Sequence, residues 1–368
     1  MQLSEFDYDL PPGSIAQVPV EPRDAARLLI DRGPVEQPLD STVGALGDQV
    51  GPGDVVVVNS TRVRPARLRL RRATGGATEV LLLSPIDDSN AWEALVRPSR
   101  KVAPGDLLRP PGQEGTGFAV RVGEDRGEGR RRVTLLLDGS TLAGEALEEA
   151  LDRHGVMPLP PYLDDRTRDP DRYQTVFADR PGSAAAPTAG LHLTPEVLAR
   201  VRDAGAEVVE VDLEVGLGTF RPMTADRVED HRMHAERYRI SPEAWAAVER
   251  AHDPATPGSV LAVGTTSLRA LESAARTGDL SGSTELFLHR GAKLLVVDRL
   301  MTNFHLPCSS LLVLIDAVVG PRWRSLYETA LARNYRFLSF GDAMLLEARQ
   351  LDARQLEARP GSDGGAEA

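Results

Sequence analysis

The stretch "GPGDVVVVNSTRVRPARLRLRR", residues 51–72, changes character within a few positions. Its four consecutive valines, Val55 to Val58, follow the turn sequence "GPGD" and predict a buried β-strand. The next residues bring in several arginines and a proline, which favour the protein surface. The sequence therefore predicts that the backbone leaves the core just after this strand.

The segments on either side of residue 150 follow different patterns. From about residue 66 to 140, short and partly alternating apolar runs are divided by Gly, Pro, Asp and Asn clusters, which is typical of a small antiparallel β unit and favours a barrel. After "MPLPPYLDD", helix and strand patterns alternate. Two helices carry complete start signals, at Thr194 in "TPEVLARVRDAG" and at Ser241 in "SPEAWAAVERAHD". This later part predicts an α/β fold.

Length and composition limit the class of protein. A chain of 368 residues with 41% hydrophobic residues is long enough for two domains with real cores. Cys308 is the only cysteine, so an internal disulfide and a zinc site built from several thiolates are excluded, as fits a reducing cytoplasm. The N-terminus does not resemble a signal peptide, and no uncharged apolar run approaches about 18 residues. We expect neither export by such a signal nor a membrane span.

The charge balance is acidic. The chain has 43 basic and 54 acidic residues and a formal net charge of −11, which disfavours nonspecific binding to nucleic acid or anionic membranes. A nucleic-acid partner would therefore need a local basic patch.

The segment "VLAVGTTSLRALESA", residues 260–274, places a glycine and three hydroxyl residues between an apolar strand and a helix. Backbone N–H groups at a helix start, together with Thr and Ser hydroxyls, suit a carboxylate, phosphate or ribose oxygen. The competing interpretation is an ordinary helix after a tight turn, with Thr266 or Ser267 as its cap.

The segment "EVGLGTFRPM", residues 214–223, is close to a dinucleotide-binding fingerprint, but Arg221 stands where the third glycine belongs. A Rossmann site is therefore rejected. Gly216 and Gly218 would still let a flat ligand approach the backbone, with Phe220 as a stacking face, and a plain glycine-rich turn explains the pattern equally well.

Histidines occur in two further motifs. In "EDHRMHAERY", residues 229–238, His231 and His234 could bind zinc from one helical face, but the spacing differs from the metalloprotease helix and no third ligand is evident. Hydrogen-bonding or acid/base histidines in a polar pocket are the better functional interpretation, and exposed histidines are the alternative. His192 lies in the tight loop "APTAGLHLTPE", where a structural role competes with a catalytic one.

Cys308 follows His305 by three residues in "MTNFHLPCSSLLVLIDA", residues 301–317. Nucleophilic use would need a base arranged in space and an electropositive setting, which sequence adjacency cannot supply. We expect a loop that enters a buried helix or strand, with a buried and inert thiol.

Taken together, these motifs resemble the S-adenosylmethionine:tRNA ribosyltransferase-isomerase family of queuosine biosynthesis. The resemblance covers nearly the whole chain through eleven ordered blocks, none of which is specific alone. The blocks are "FDYDLP", "IAQVPVEPRDAARLL", "NSTRVRPARL", "MPLPPY", "YQTVFA", "PGSAAAPTAGLH", "VGLGTFRP", "EDHRMHAE", "AVGTTSLRALESA", "MTNFHLP" and "FLSFGDAM".

The resemblance implies an α/β architecture: a large mixed α/β domain with a small inserted antiparallel β-barrel domain. The large domain would comprise residues 1–64 and 156–352, and the barrel residues 65–155. Residues 353–368 are small, polar and Gly-rich, and we predict a disordered tail there.

The resemblance also implies a reaction. The ribosyl moiety of S-adenosylmethionine would be transferred and isomerised onto 7-aminomethyl-7-deazaguanine in tRNA, giving epoxyqueuosine in tRNA, adenine and methionine. S-adenosylmethionine is then a substrate, tRNA is the partner, and we expect a cytoplasmic monomer with no tightly bound cofactor or metal. Because the sulfonium acidifies C5′ and provides a leaving group, the chemistry needs a base at C5′, a proton donor to adenine and a pocket for the donor.

The matching motifs supply candidates for each task. The acid/base candidates are His192, His231, His234 and His305, with Glu236 expected to orient one of them. The expected donor-binding residues are Gly216, Gly218, Thr219, Phe220, Thr265, Thr266, Ser267, Asn303 and Phe304. The expected anion- or tRNA-binding residues are Arg27, Arg62 and Arg221.

Three positions depart from the family pattern. Glu214 stands where the family commonly has His, Cys308 where it has Lys or Glu, and "HRGA" at residues 289–292 where it has a Tyr-Pro-Gly-aromatic segment. These departures leave two alternatives open. One is a divergent ribosyltransferase acting on a free 7-deazapurine or another small amine, and the other is a catalytically silent tRNA-binding paralogue.

Overall fold

The computed structural model describes residues 1–86, 90–113, 117–163, 170–216, 223 and 225–348. The predicted tail at residues 353–368 lies outside the described residues. The helices are α1 (Gly144–His154), α2 (Pro195–Asp203), α3 (Pro242–Ala251), α4 (Thr265–Thr277), α5 (Ser310–Val319) and α6 (Trp323–Ala332). The strands are β1 (Arg27–Ile30), β2 (Leu39–Thr42), β3 (Val55–Asn59), β4 (Arg62–Val63), β5 (Arg67–Arg71), β6 (Ala77–Ile86), β7 (Ala91–Arg97), β8 (Leu107–Leu108), β9 (Phe118–Gly127), β10 (Arg130–Leu137), β11 (Ser140–Thr141), β12 (Gly155–Val156), β13 (Pro181–Ser183), β14 (Glu207–Leu213), β15 (Glu236–Ile240), β16 (Val260–Val263), β17 (Ser281–Thr284), β18 (Arg299–Asn303) and β19 (Ala343–Glu347).

The valine run forms β3, in the middle of a nine-stranded mixed sheet with the order β17-β15-β14-β3-β16-β18-β19-β1-β2. Val55 and Val57 contribute to one core cluster, and Val56 and Val58 to another. Since successive side chains of a strand point to opposite faces, β3 is buried on both sides. The prediction of a buried strand is confirmed.

Helices cover both faces of this sheet. On one face, α3, α4, α5 and α6 contribute to the larger cluster, and on the other α2 packs its apolar side chains with those of β3 and β16. The start signals are confirmed, because the side chains of Thr194 and Ser241 cap α2 and α3 and a proline follows each. No helix in the described ranges is both long enough and apolar enough to cross a membrane.

Residues 67–156 form a second, antiparallel sheet with the strand order β12-β5-β6-β7-β10-β9-β8. The sheet curls, so that Arg71 at the end of β5 pairs with Arg109 just after β8 through two backbone hydrogen bonds of 2.7 and 3.0 Å. Its apolar side chains form a cluster of their own with α1. The predicted antiparallel β unit is confirmed, and the protein combines a mixed α/β layer structure with a curled sheet.

Candidate functional site

Four parallel strands bring their carboxyl ends to one edge of the large sheet. β14, β3, β16 and β18 are neighbours and run in the same direction. The loops that follow such strands form the usual ligand-binding crevice of α/β sheets. At this edge a cleft encloses about 780 Å³, including the solvent at its mouth.

The cleft brings together predicted residues from two distant motifs. Thr265 and Thr266 reach it from the start of α4, and Asn303, Phe304 and His305 from the end of β18. Its other lining includes apolar side chains and residues before α2, among them Tyr162, Thr188, Val215, Leu306, Leu311 and Leu338.

The first turn of α4 faces the cleft without a side-chain cap. The N-cap residue is Gly264, whose φ of +91° favours glycine. Ser267 donates its hydroxyl to the carbonyl of Val263 at 2.8 Å. The alternative of a cap by Thr266 or Ser267 is therefore wrong, because the helix is capped at Gly264, two residues before Thr266 and three before Ser267.

Thr266 has an unused hydroxyl at this helix start. The residue is 8% exposed, and its Oγ1 is buried with no hydrogen-bond partner among the described residues. A buried hydroxyl without a partner carries a free-energy cost that a bound ligand can remove. Together with the free N–H groups and the positive end of the helix dipole, it forms a place for an anionic oxygen.

Asn303 lies at the centre of a buried polar network. Its Oδ1 accepts from the Thr188 hydroxyl at 2.8 Å, and its Nδ2 donates to His192 Nε2 at 3.0 Å. Because Nε2 accepts, the His192 ring is neutral and carries its proton on Nδ1. Burial, and then the charges of Arg336 and Arg172, lower the pKa of His192 to about 4.

His305 is held through its backbone by two tyrosines and through its ring by one threonine. Its N–H donates to the Tyr327 hydroxyl at 3.0 Å, its carbonyl accepts from the Tyr8 hydroxyl at 2.5 Å, and its Nε2 lies 3.1 Å from Thr302 Oγ1. Burial lowers the pKa of His305 to about 3. The ring is therefore neutral at pH 7.

Phe304 borders the cleft from inside an aromatic cluster. Its ring is stacked on Phe337 with centroids 4.7 Å apart, and meets Tyr327 and Tyr335 edge-on at 5.5 and 5.7 Å. The residue is 0% exposed, so its ring supports the cleft floor in this structure.

Glu236 forms a buried ion pair with Arg269 of α4, and its Oε1 accepts from the N–H of Gly216 at 2.8 Å. The carboxylate thereby fixes the start of the glycine-rich motif beside the cleft, where Val215 contributes to the wall. Gly218, Thr219, Phe220 and Arg221, predicted from the same motif, lie outside the described residues.

The other predicted residues do not line the cleft. His231 and His234 lie in an irregular segment between a short 3-10 turn and β15, not on a helix. His231 is half-buried against Phe287 at 5.2 Å between ring centroids, and His234 is exposed. Among the described residues no group of three or more His, Cys, Asp or Glu is placed to hold a metal ion.

The two arginines in the described ranges lie apart from the cleft as well. Arg27 pairs with Asp40 at 3.0 Å, and its guanidinium covers the Tyr335 ring at 3.8 Å. Arg62 is exposed on β4. Cys308, expected to be buried, is only partly so, and burial with the charge of Asp7 raises the pKa of its thiol.

Sequence reasoning missed Thr188 and Arg269 as parts of the site. Arg269 gave one signal, since a charged residue within an otherwise apolar and small-residue helix face requires a buried partner. Thr188 gave none, because its partner Asn303 lies 115 residues away.

Comparison with known proteins agrees with these motifs. A family model described as "Queuosine biosynthesis protein" matches residues 3–346. An S-adenosylmethionine:tRNA ribosyltransferase-isomerase of Rubrobacter xylanophilus is 47% identical over 347 residues, covering 94% of this chain and 98% of the relative. One of Anaeromyxobacter dehalogenans is 46% identical over 360 residues, covering 95% and 100%.

A solved structure is also similar. The crystal structure of an S-adenosylmethionine tRNA ribosyltransferase from Thermotoga maritima has a TM-score of 0.52 at 30% identity, covering 93% of this chain and 99% of that one. With a family model that matches most of its length and relatives above 45% identity over nearly all of it, the chain belongs to the queuosine biosynthesis protein family.

Proposed function

We propose that this protein transfers and isomerises the ribosyl moiety of S-adenosylmethionine onto 7-aminomethyl-7-deazaguanine in tRNA, with release of adenine and methionine. Membership of the family and the names of its relatives support this activity. The structural observation that carries the proposal is the uncapped start of α4, with its unpaired Thr266 hydroxyl, at the carboxyl ends of four parallel strands.

The donor is proposed to lie in the cleft with its amino-acid carboxylate at the start of α4. Thr265 and Thr266 would contact that carboxylate, because helix N–H groups and hydroxyls suit an anionic oxygen. The apolar walls near Leu306 and Leu338 would take the adenosyl part. Ser267 would keep the helix start in shape through Val263 rather than contact the donor.

The acid/base step is assigned to the pool of His192, His231, His234 and His305. A base at C5′ must be unprotonated when the substrate binds, and pKa values of about 4 and 3 keep His192 and His305 unprotonated at pH 7. Glu236 would act by fixing Gly216, and with it the motif that carries Gly218, Thr219 and Phe220. Arg27, Arg62 and Arg221 remain proposed contacts for tRNA or for anionic groups.

The domain division is proposed as well. Residues 1–64 and 156–352 would form the large domain, and residues 65–155 a small barrel. The separate apolar cluster of the curled sheet and the bridge between Arg71 and Arg109 support that division. A monomer in the cytoplasm remains part of the proposal.

Three incubations test the activity by measuring adenine release. S-adenosylmethionine is supplied alone, with tRNA carrying 7-aminomethyl-7-deazaguanine, or with the free deazapurine base. Release only with the tRNA supports the proposal, release with the free base supports a divergent ribosyltransferase, and tRNA binding without release supports a silent paralogue. Alanine replacement of each of the four histidines tests the pool. Near-normal rates of adenine release in all four variants would refute the assignment of the acid/base step to these residues.

A further inference from the structure

A groove next to the cleft has no role in the assignments above. It encloses about 1030 Å³, open to solvent, and is formed by β13, β14, β15 and β17. None of its residues was predicted to be functional, although Glu214 was noted as a departure from the family pattern.

The groove carries charges of both signs. Asp212 of β14 and Glu214, one residue past its end, line the groove, and the N–H of Glu214 still donates to the carbonyl of Arg237 at 2.9 Å. Because the two residues are two positions apart along this extended backbone, their side chains leave it on the same face, about 7 Å apart. Arg180, Arg237 and Arg239 line the same groove, and Arg180 Nη1 lies 3.6 Å from Asp212 Oδ2. Three positive groups thus surround two negative ones.

Both carboxylates are half-buried, and that of Asp212 has unused hydrogen-bonding capacity. Asp212 Oδ1 is buried and has no hydrogen-bond partner among the described residues. Burial raises the pKa of both carboxyl groups despite the nearby arginines. Gly182 leaves room for Glu214, since a Cβ at this glycine would approach Glu214 Cγ to 2.9 Å. The groove therefore offers acceptors that need N–H donors.

The groove and the cleft share two stretches of backbone. Glu214 lines the groove and the next residue, Val215, lines the cleft. Gly182 lines the groove, and Ala186, four residues later, lines the cleft. Four residues span at most about 14 Å, so a ligand in the groove lies within reach of a reaction in the cleft.

We propose that this groove binds the acceptor nucleotide by its guanine-type base, with Asp212 and Glu214 accepting from the ring N–H and the exocyclic amine. This inference rests on the proposed function, because it takes a guanine-type nucleotide in tRNA as the acceptor. A carboxylate only accepts hydrogen bonds, and guanine presents adjacent N–H donors on its pairing edge, whereas adenine presents an acceptor there. The arginines face the phosphates on either side of the base.

Binding without the donor tests the groove directly. The full chain is titrated with an anticodon stem-loop RNA that has guanine at the acceptor position, and with the same RNA carrying hypoxanthine, which lacks only the exocyclic amine. We expect the wild type to prefer guanine by about tenfold. Glu214→Met, which keeps length but removes the acceptor, is expected to reduce the preference to about twofold or less.

Glu210→Met is the matched control, because Glu210 lies four residues before Glu214 on the same face of β14 as Asp212, but is exposed and outside the groove. Equal binding of both RNAs by the wild type, or an unchanged preference in Glu214→Met, would overturn the inference. If thermal unfolding shows that Glu214→Met does not fold, Gly182→Ala, which displaces the Glu214 side chain, decides in its place.

Adenine release by the wild type is measured separately with tRNA that carries the aminomethyl base. A Glu214-dependent guanine preference without release supports the groove and refutes the proposed function. If adenine is released but Glu214→Met leaves the preference for guanine unchanged, the proposed function is supported and the inference about the groove is refuted.

Discussion

The two pairs of candidate histidines occupy contrasting environments. His305 is buried in the lining of the cleft and His192 is buried behind the cleft residue Asn303, with pKa values lowered to about 3 and 4. His231 and His234 lie in an irregular segment, half-buried and exposed, and burial with the charge of His234 lowers the pKa of His231. Residues that form one chemical pool in the sequence thus divide into a fixed, neutral pair and a pair open to solvent.

The contrast distinguishes histidines whose rings are held in place from histidines in an irregular segment. His192 and His305 are held by the Asn303 amide, the Thr302 hydroxyl and the Tyr327 hydroxyl, so their rings present fixed donors and acceptors over the whole physiological pH range. His231 and His234 have no comparable set of hydrogen-bond partners among the described residues. Four experiments test these assignments.

The largest effect is expected from removing the centre of the network. Asn303→Leu keeps a similar volume but leaves Thr188 and His192 without their partner, at about 1–3 kcal/mol for each buried group. We expect adenine release to fall about 100-fold, equivalent to about 3 kcal/mol. Glu243→Gln, at an exposed position of α3, is the control and should keep its rate. An Asn303→Leu rate within about threefold of wild type would show that the hydrogen-bond network around Asn303 is not required for activity.

The next effect concerns stability at low pH. Because His192 has a pKa of about 4 in the folded protein and about 6.5 when unfolded, its contribution is fully present above pH 6.5 and is lost as the pH falls towards 4. Between pH 6.5 and 5 the free energy of unfolding should fall by about 2 kcal/mol on its account.

His192→Gln, which cannot titrate, should flatten the dependence by that amount in urea unfolding at several pH values. Equal slopes in wild type and His192→Gln would contradict the buried, neutral state of this ring.

A smaller effect should distinguish two hydroxyl residues of α4. Thr266→Val removes the unpaired hydroxyl and should raise the KM for S-adenosylmethionine about tenfold, or about 1.4 kcal/mol. Ser267→Ala removes a hydroxyl that already bonds Val263, and should leave this KM nearly unchanged. A larger rise in this KM for Ser267→Ala than for Thr266→Val would show that the donor contacts Ser267 rather than Thr266.

The smallest effect is expected at Cys308. Its thiol is partly exposed, and its raised pKa keeps it protonated at neutral pH, which is unfavourable for a nucleophile. Cys308→Ser should therefore keep adenine release within about twofold of wild type. A folded but inactive variant would restore the nucleophile hypothesis.

Local signals predicted much of the fold and less of the site. The buried β3 and the caps at Thr194 and Ser241 follow from a few neighbouring residues, because burial and capping depend on local pattern. The motifs of α4 and β18 also identified Thr266, Asn303 and His305 as cleft residues. Their environment could not be predicted, since protonation and hydrogen bonding depend on partners distant in sequence.

The groove shows why the other features of the site could not be predicted from the sequence. Asp212 and Glu214 share a face by strand periodicity, but their proximity to Arg180 and Arg237 depends on how β13 and β15 are placed beside β14. Sequence separation gives no indication of that placement. The same holds for the pair of Glu236 and Arg269, which are 33 residues apart.

The central place of β3 in the large sheet has a consequence for synthesis on the ribosome. Both of its neighbours, β14 and β16, follow it by about 150 residues or more, whereas every strand of the curled sheet pairs within residues 67–156. Since a nascent chain folds from the segments already made, the curled sheet can assemble while β3 still has no partner. Limited proteolysis of ribosome-bound chains ending near residue 200 should find residues 67–156 protected and residues 55–59 still open to cleavage.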